Sequence, residues 1–371
     1  MIPFIVVTLV AVLTADILLL QELSPDKPPT SAVRFRTVPD QSLVAQSRAD
    51  VSVKPLGTLR EPQLFVVTRR PLTMPLLRKV ARLSGVRALE LADAATVTID
   101  GKRVQTLGVD PSSFRAYTPK VTAASDSLWS NVAAGDLAVS FVLGHDGGLT
   151  LGKSVQGPAG SLRIGAYATT GFGAVDAVVS KATGRALGLP RDNALIVSAP
   201  SADTAALRRG LAKVLPRGTQ IATVNPVAPQ VTPVQSGTFI SGDQMTTALR
   251  AAISKLGRPY VWGAEGPDTF DCSGLVQWAY AQAGIRMPRV THQQWVSGVQ
   301  VPLSQAQPGD LLFWRNDPTN PNYISHVAIF WGDGKMLHAP RTGDVVKLVP
   351  VNTRNLAGVV RVNPAMAAQV R

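Results

Sequence analysis

The sequence predicts an α+β protein of two domains behind an apolar opening segment. Three observations carry this. Two β-α-β patterns, at residues 63–99 and again from Asn193 to Pro226, bracket a Gly-rich middle. A Pro-rich spacer follows them, and past it the chain's only cysteine heads an amphipathic helix, with a hairpin bearing two of the four histidines further on. With 371 residues, 45% of them hydrophobic, the chain can form two ordinary cores.

Residues 1–20, MIPFIVVTLVAVLTADILLL, are apolar except for two threonines and Asp16. Their length suits a membrane helix, so residues 1–21 are expected to be an anchor. A signal peptide and a plain buried helix are the alternatives, although no small-residue cleavage site follows Leu20. Anchor and signal peptide alike place the rest of the chain outside the cytoplasm. Residues 22–56, beginning with a Pro-rich polar run, read as a linker.

The front domain spans 57–224. LFVVTRR reads as a strand, TMPLLRKVARLSG as a helix and RALELADAATVTID as an alternating strand. The pattern returns as NALIVSAP, a helix over SADTAALRRGLAKVLP that Ser201 or Asp203 can cap, and TQIATVNP. Two such units suggest a ferredoxin-like α+β domain with both helices on one face of a sheet. VTIDGKRVQTLGVDP, the Leu128-Trp129 pair before AAGDLAVSFVLG, and GLTLGKSV give residues 97–154 a resemblance to the extracytoplasmic core domain of MacB-type ABC permeases. That resemblance implies a partner-contacting domain, one that docks a membrane complex, and no catalysis.

Gly147–Ser154, GGLTLGKS, fits the phosphate-loop pattern letter for letter. The device needs a helix next, with its N-terminus facing the phosphates. VQGPAGSLRIG follows instead, with glycines and a proline that break a helix, so a turn between strands is expected.

Residues 225–242, NPVAPQVTPVQSGTFISG, form an extended spacer, and the second domain covers 243–371. Its first helix is expected to start with Asp243 as N-cap, to bury Leu249, Ala252, Ile253 and Leu256, and to stop at Gly257-Arg258-Pro259. Then comes DCSGLVQW. Leu275, Val276, Ala279, Tyr280 and Ala283 share a helix face, which puts Cys272 at the first helical position behind an Asp271 cap. Amide groups at a helix tip favour a thiolate and can hold an oxyanion, so the lone cysteine is a candidate nucleophile.

SHVAIFW and KMLHAP flank the turn Gly332-Asp333-Gly334. If Trp331 faces Lys335, Ala328 faces His338, and His326 and His338 become diagonal neighbours on one face of the hairpin. One imidazole can then activate the thiol while the other orients it.

These residues resemble the NlpC-type cell-wall endopeptidases, papain-like cysteine peptidases that cleave peptidoglycan stem peptides. The resemblance runs over 243–365 through GRPYVWG, FDCSGLV, MPR, PGDLLF, SHVAIF and MLHAP, in the family's order. It implies a papain-like fold with helices against an antiparallel sheet. Cys272 would be the nucleophile, His326 the general base and His338 its orienting partner. Tyr260 would line the oxyanion region, and Asp271 and Ser273 would help hold the substrate. The implied scissile bond joins γ-D-glutamate to the diamino acid, meso-diaminopimelate in most such enzymes. No cofactor or metal is implied.

Two further features stand beside the motifs. Residues 315–323 look longer than the usual connection and would be a substrate-selecting lid or an inert loop, and His292 reads as a rim residue. The net charge of +13 predicts attraction to polyanions. Nucleic acid, anionic lipid and anionic cell-wall polymer are the candidates; scattered basic residues without interleaved aromatics argue against nucleic acid, and the resemblance to wall endopeptidases fits anionic cell-wall polymers. A non-catalytic wall-peptide sensor is the competing function, and a front domain that clamps the enzyme is a further possibility.

Overall fold

The computed structural model describes residues 43–48, 51–172, 175–224 and 239–370. The anchor expected at 1–21, most of the linker after it, and 225–238 of the spacer lie outside the described residues. Among the described residues no helix is long and apolar enough to cross a membrane. All of them belong to one compact unit.

The front part is built on nine strands: β1 (Leu64–Val67), β2 (Ala88–Ile99), β3 (Lys102–Val109), β4 (Leu137–Val139), β5 (Ser154–Gly157), β6 (Gly160–Tyr167), β7 (Ala177–Ser180), β8 (Ala194–Ser198) and β9 (Gln220–Thr223). They form one mixed sheet in the order β5-β6-β4-β7-β3-β2-β8-β1-β9. Within it the run β2-β8-β1-β9 is antiparallel at each step. Helix α1 (Met74–Ala81) joins β1 to β2; α2 (Phe141–His145) follows β4; and α3 (Thr204–Val214) joins β8 to β9. Pro75 sits in the first turn of α1, where its missing N–H costs nothing. Asp203 caps α3 by accepting the Ala206 amide at 2.5 Å. Both helices bury leucines and valines (Val80, Leu207, Leu211) against Leu64, Val66, Leu195 and Val197, so they share one face of the sheet. Residues 100–193 are inserted between β2 and β8 and carry the strands that complete the sheet.

Gly147–Ser154 leads from α2 into strand β5, so the turn joins a helix to a strand rather than two strands. No helix follows it, and the phosphate-loop match therefore lacks the element that would face a phosphate.

The C-terminal part opens with α4 (Gly242–Ile253), whose N-cap is Ser241, not Asp243. Ser241 and Gln244 form a reciprocal capping box, a stronger satisfaction of free amides than a lone aspartate gives. Ala248 and Ala252 bury, whereas Leu256 stays exposed beyond the helix end. Helix α5 (Cys272–Gln282) packs beside α4 against a sheet ordered β10-β15-β11-β12-β13-β14. Its strands are β10 (Gly298–Val301), β11 (Leu311–Trp314), β12 (His326–Gly332), β13 (Lys335–His338), β14 (Lys347–Pro350) and β15 (Leu356–Val362), all paired antiparallel. Both parts are thus mixed α and β.

The β12–β13 hairpin keeps the expected register where it matters, with Ile329 opposite Leu337 and Phe330 opposite Met336. At the tip Gly332, not Trp331, faces Lys335. A bulge absorbs the extra residue, and Gly332, Asp333 and Gly334 all take positive φ to turn the chain.

Candidate active site

Cys272 is the first residue of α5, and the local sequence explains why the chain turns there. Asp271 adopts an extended conformation as N-cap; its carboxylate accepts the Gly274 amide at 2.7 Å and the Gly263 amide at 3.0 Å. Gly274 is required by close approach, since a Cβ there would fall 2.1 Å from the Ala264 carbonyl oxygen. The Cys272 sulfur receives the amides of Ser273 and Val327. Val327 directly follows His326, so the start of β12 lies against the helix tip. His326 Nε2 and His338 Nδ1 are 2.9 Å apart, with the ring planes nearly perpendicular at 79°. The three residues are 7%, 8% and 8% exposed.

That burial reverses one expectation. The helix tip was to ionise the sulfur; instead desolvation pushes the Cys272 thiol up, and the nearby carboxylates of Asp271 and Asp146 push the same way, against the two amides. Desolvation also lowers His326 to about 3, with a smaller contribution from His338, and lowers His338 to about 4, aided by Lys347. The group is therefore a neutral thiol beside two neutral imidazoles. Among the described residues no hydrogen bond joins the sulfur to either ring.

The front part closes over this site. Asp146, just past α2, offers its carbonyl to the Thr342 amide at 2.5 Å, and Gly148 packs on the Thr342 side chain. Trp262 packs against the hydrophobic clusters of both parts. On the other flank the Thr169 amide donates to Thr319 Oγ1 at 2.8 Å and the Thr169 hydroxyl to the Asp317 carboxylate. Asp317 and Thr319 are buried. Residues 315–323 are thus neither a free lid nor an inert loop: they are the seat on which the front part rests. Asp176, at the entry to β7, interacts electrostatically with Asp271 and Tyr323, and burial raises its carboxyl to about 7.

Tyr260 is buried in the same apolar cluster as Cys272, and burial above all holds its hydroxyl protonated. Asp271 and Ser273 both engage Arg289, which bonds the Asp271 carboxylate with two nitrogens, at 3.0 and 2.5 Å, and Ser273 Oγ at 2.9 Å. Arg289 was visible only as a letter of the MPR motif, because its partner lies 18 residues back along the chain. His292 is half-buried, which is compatible with a rim position; its Nδ1 is enclosed and has no partner among the described residues, and its ring lies 6.3 Å from that of Tyr323. Asp146, Asp176, Thr169 and Tyr323 gave no local signal, since sequence patterns do not reveal which surfaces of two domains will meet.

The site should make two stability effects measurable. Arg289→Ala leaves the buried Asp271 carboxylate without its cation and is expected to cost about 2–3 kcal/mol in urea unfolding, with Arg289→Lys recovering less than half because it lacks the planar fork. An unchanged midpoint would show that the pair contributes nothing.

The second effect is in pH. Both histidines have lowered pKa values, so between about pH 4 and 6.5 the unfolded chain binds more protons, and stability falls as pH drops through that window by about 1.4 kcal/mol per unit for each ring. Asp176 acts oppositely from about pH 4 to 7, since the folded chain keeps a proton that the unfolded chain has lost. His338→Gln should flatten the acid slope and Asp176→Asn should steepen it; equal slopes in all three proteins would mean that these groups titrate normally.

Residues 257–360 match the NlpC/P60 family model, and they form an NlpC/P60 domain. A probable endopeptidase of Mycobacterium tuberculosis is 41% identical over 113 residues, which are 30% of this chain and 28% of that protein. The peptidoglycan endopeptidase RipA of the same species is 37% identical over 125 residues, 30% of this chain and 25% of RipA. The solved peptidoglycan hydrolase RipB of that species is 32% identical, with a TM-score of 0.29, covering 33% of this chain and 65% of that one. The chain spans roughly a quarter of the length of the first two relatives.

Proposed function

We propose that this NlpC/P60 domain makes the chain a cysteine-type peptidoglycan endopeptidase, acting outside the cytoplasm on wall stem peptides. The observation that carries the reading is the His326–His338 pair at 2.9 Å, set where β12 meets the helix tip that bears Cys272. If His326 Nε2–H donates to His338 Nδ1, its other ring nitrogen is a bare lone pair able to take the thiol proton. His338 is then the orienting residue.

The chemistry follows as acyl transfer. The Cys272 proton passes to His326 as the sulfur bonds to the γ-carbonyl carbon of D-glutamate. The oxyanion forms beside Tyr260 and the amides at the start of α5. Collapse breaks the amide, and protonated His326 gives its proton to the departing amine of diaminopimelate. Water, deprotonated by His326, cleaves the thioester and restores the thiol. In this reading Asp271 and Ser273, which Arg289 holds, would help to bind the substrate's polar end once the site opens.

A closed resting form belongs to this reading. A nucleophile 7% exposed, with its thiol pushed up by burial, is a poor one until the front part moves aside. The order β2-β8-β1-β9, with both helices on one face, supports reading the clamp as a ferredoxin-like unit enlarged by an insertion.

Purified peptidoglycan with a diaminopimelate stem, incubated with the full chain, should yield fragments with a new amino group on diaminopimelate, seen by mass spectrometry. Binding of wall fragments without any such product, even after the front part is loosened, would favour the sensor instead.

A further inference from the structure

The basic residues that look scattered along the sequence gather in space on one side of the front part. Residues 69–87, the turn into α1, the helix and its exit, expose Arg69, Arg70, Arg78, Lys79, Arg82 and Arg87 and contain no acid. Helix α3 and its exit add exposed Arg208, Arg209, Lys213 and Arg217, opposed only by the capping Asp203. The two helices are neighbours on one sheet face, where Leu83 lies against Gly210. None of these ten side chains takes part in an ion pair or hydrogen bond among the described residues. Cations left unpaired on a two-helix face repel one another and are best explained by an anionic partner.

We infer that this helical face docks on an anionic phospholipid bilayer. A broad face suits a lipid surface, where juxtamembrane cations add up to about fivefold in affinity each. Exposed Met74, 62% accessible at the start of α1, offers an apolar contact at the headgroup level. The face belongs to the β2-β8-β1-β9 part of the sheet, whereas the peptidase is held by segments flanking β4, β6 and β7, so docking leaves those contacts free. The inference does not depend on the catalytic reading.

The test is flotation of the full chain with vesicles of phosphatidylcholine, alone or mixed equally with phosphatidylglycerol. Changing Arg78, Arg82, Arg208 and Arg209 together to glutamate should cut binding to the anionic vesicles at least about tenfold. Changing exposed Arg103, Lys153, Lys335 and Arg354 to glutamate alters net charge equally and should cut it less than about threefold. The corresponding set of glutamines on the face decides the matter if the glutamate version unfolds. Equal losses from both sets would reduce the effect to net charge and overturn the proposal. So would equal binding to neutral vesicles, or sensitivity of the face only toward soluble poly(glycerol phosphate), which would assign it to a wall polymer.

Discussion

Cys272→Ala is expected to lower stem-peptide hydrolysis by at least about 10⁴-fold, because neither the thioester nor any substitute for it can form. The substitution removes a small buried group and should cost the fold no more than about 1–2 kcal/mol, so loss of activity would not be loss of structure. His326→Ala should lose nearly as much, since nucleophile and base act as one unit and their effects do not add. His338→Ala keeps both reacting groups and forfeits only the tautomer and orientation, an expected loss of about 10²-fold. Kinetics would be measured in a loosened chain such as the one described next, so that closure does not mask the chemistry. Residual turnover in Cys272→Ala would sink the thiol mechanism; full activity in His326→Ala would move the base elsewhere.

Thr169→Val is expected to raise both hydrolysis and thiol alkylation about tenfold. The valine removes the hydroxyl that satisfies one oxygen of the buried Asp317 carboxylate, while the other keeps its bonds to Thr319. An unsatisfied buried acceptor costs about 1–3 kcal/mol, and that cost exists only while the front part is seated, because water repairs it on opening. The closed form is penalised and the open form is not. Cys272 is the only thiol in the chain, so its rate of modification by iodoacetamide reads opening without a probe. Rapid labelling of the unaltered chain, or an unchanged rate in a Thr169→Val protein shown to be destabilised, would remove the clamp.

The helix carrying Cys272 was legible in the sequence because everything that makes it is local. Asp271 caps within three residues, the apolar stripe repeats on one face, and Gly284 ends it with positive φ. The histidine hairpin was legible for the same reason: alternation and a Gly-Asp-Gly turn fix the register from within, and the bulge at Trp331 falls beyond the stretch that positions the rings. The cap of α4 lies two residues before the expected Asp243, because serine with glutamine three positions later outcompetes an aspartate at the second helical position.

Taken alone, then, the amino-acid order determined the thiol at a helix start, the paired imidazoles on a hairpin, and the two β-α-β units ahead of them. Only the tertiary structure decided whether that sulfur is charged. A helix tip contributes a fraction of a charge at close range, whereas burial strips an ion of all its water, and the latter dominates once Asp146, Thr169 and Asp176 arrive from residues more than 95 positions away. The same folding collected the arginines of α1 and α3 onto one face, although more than 120 residues separate them in the chain.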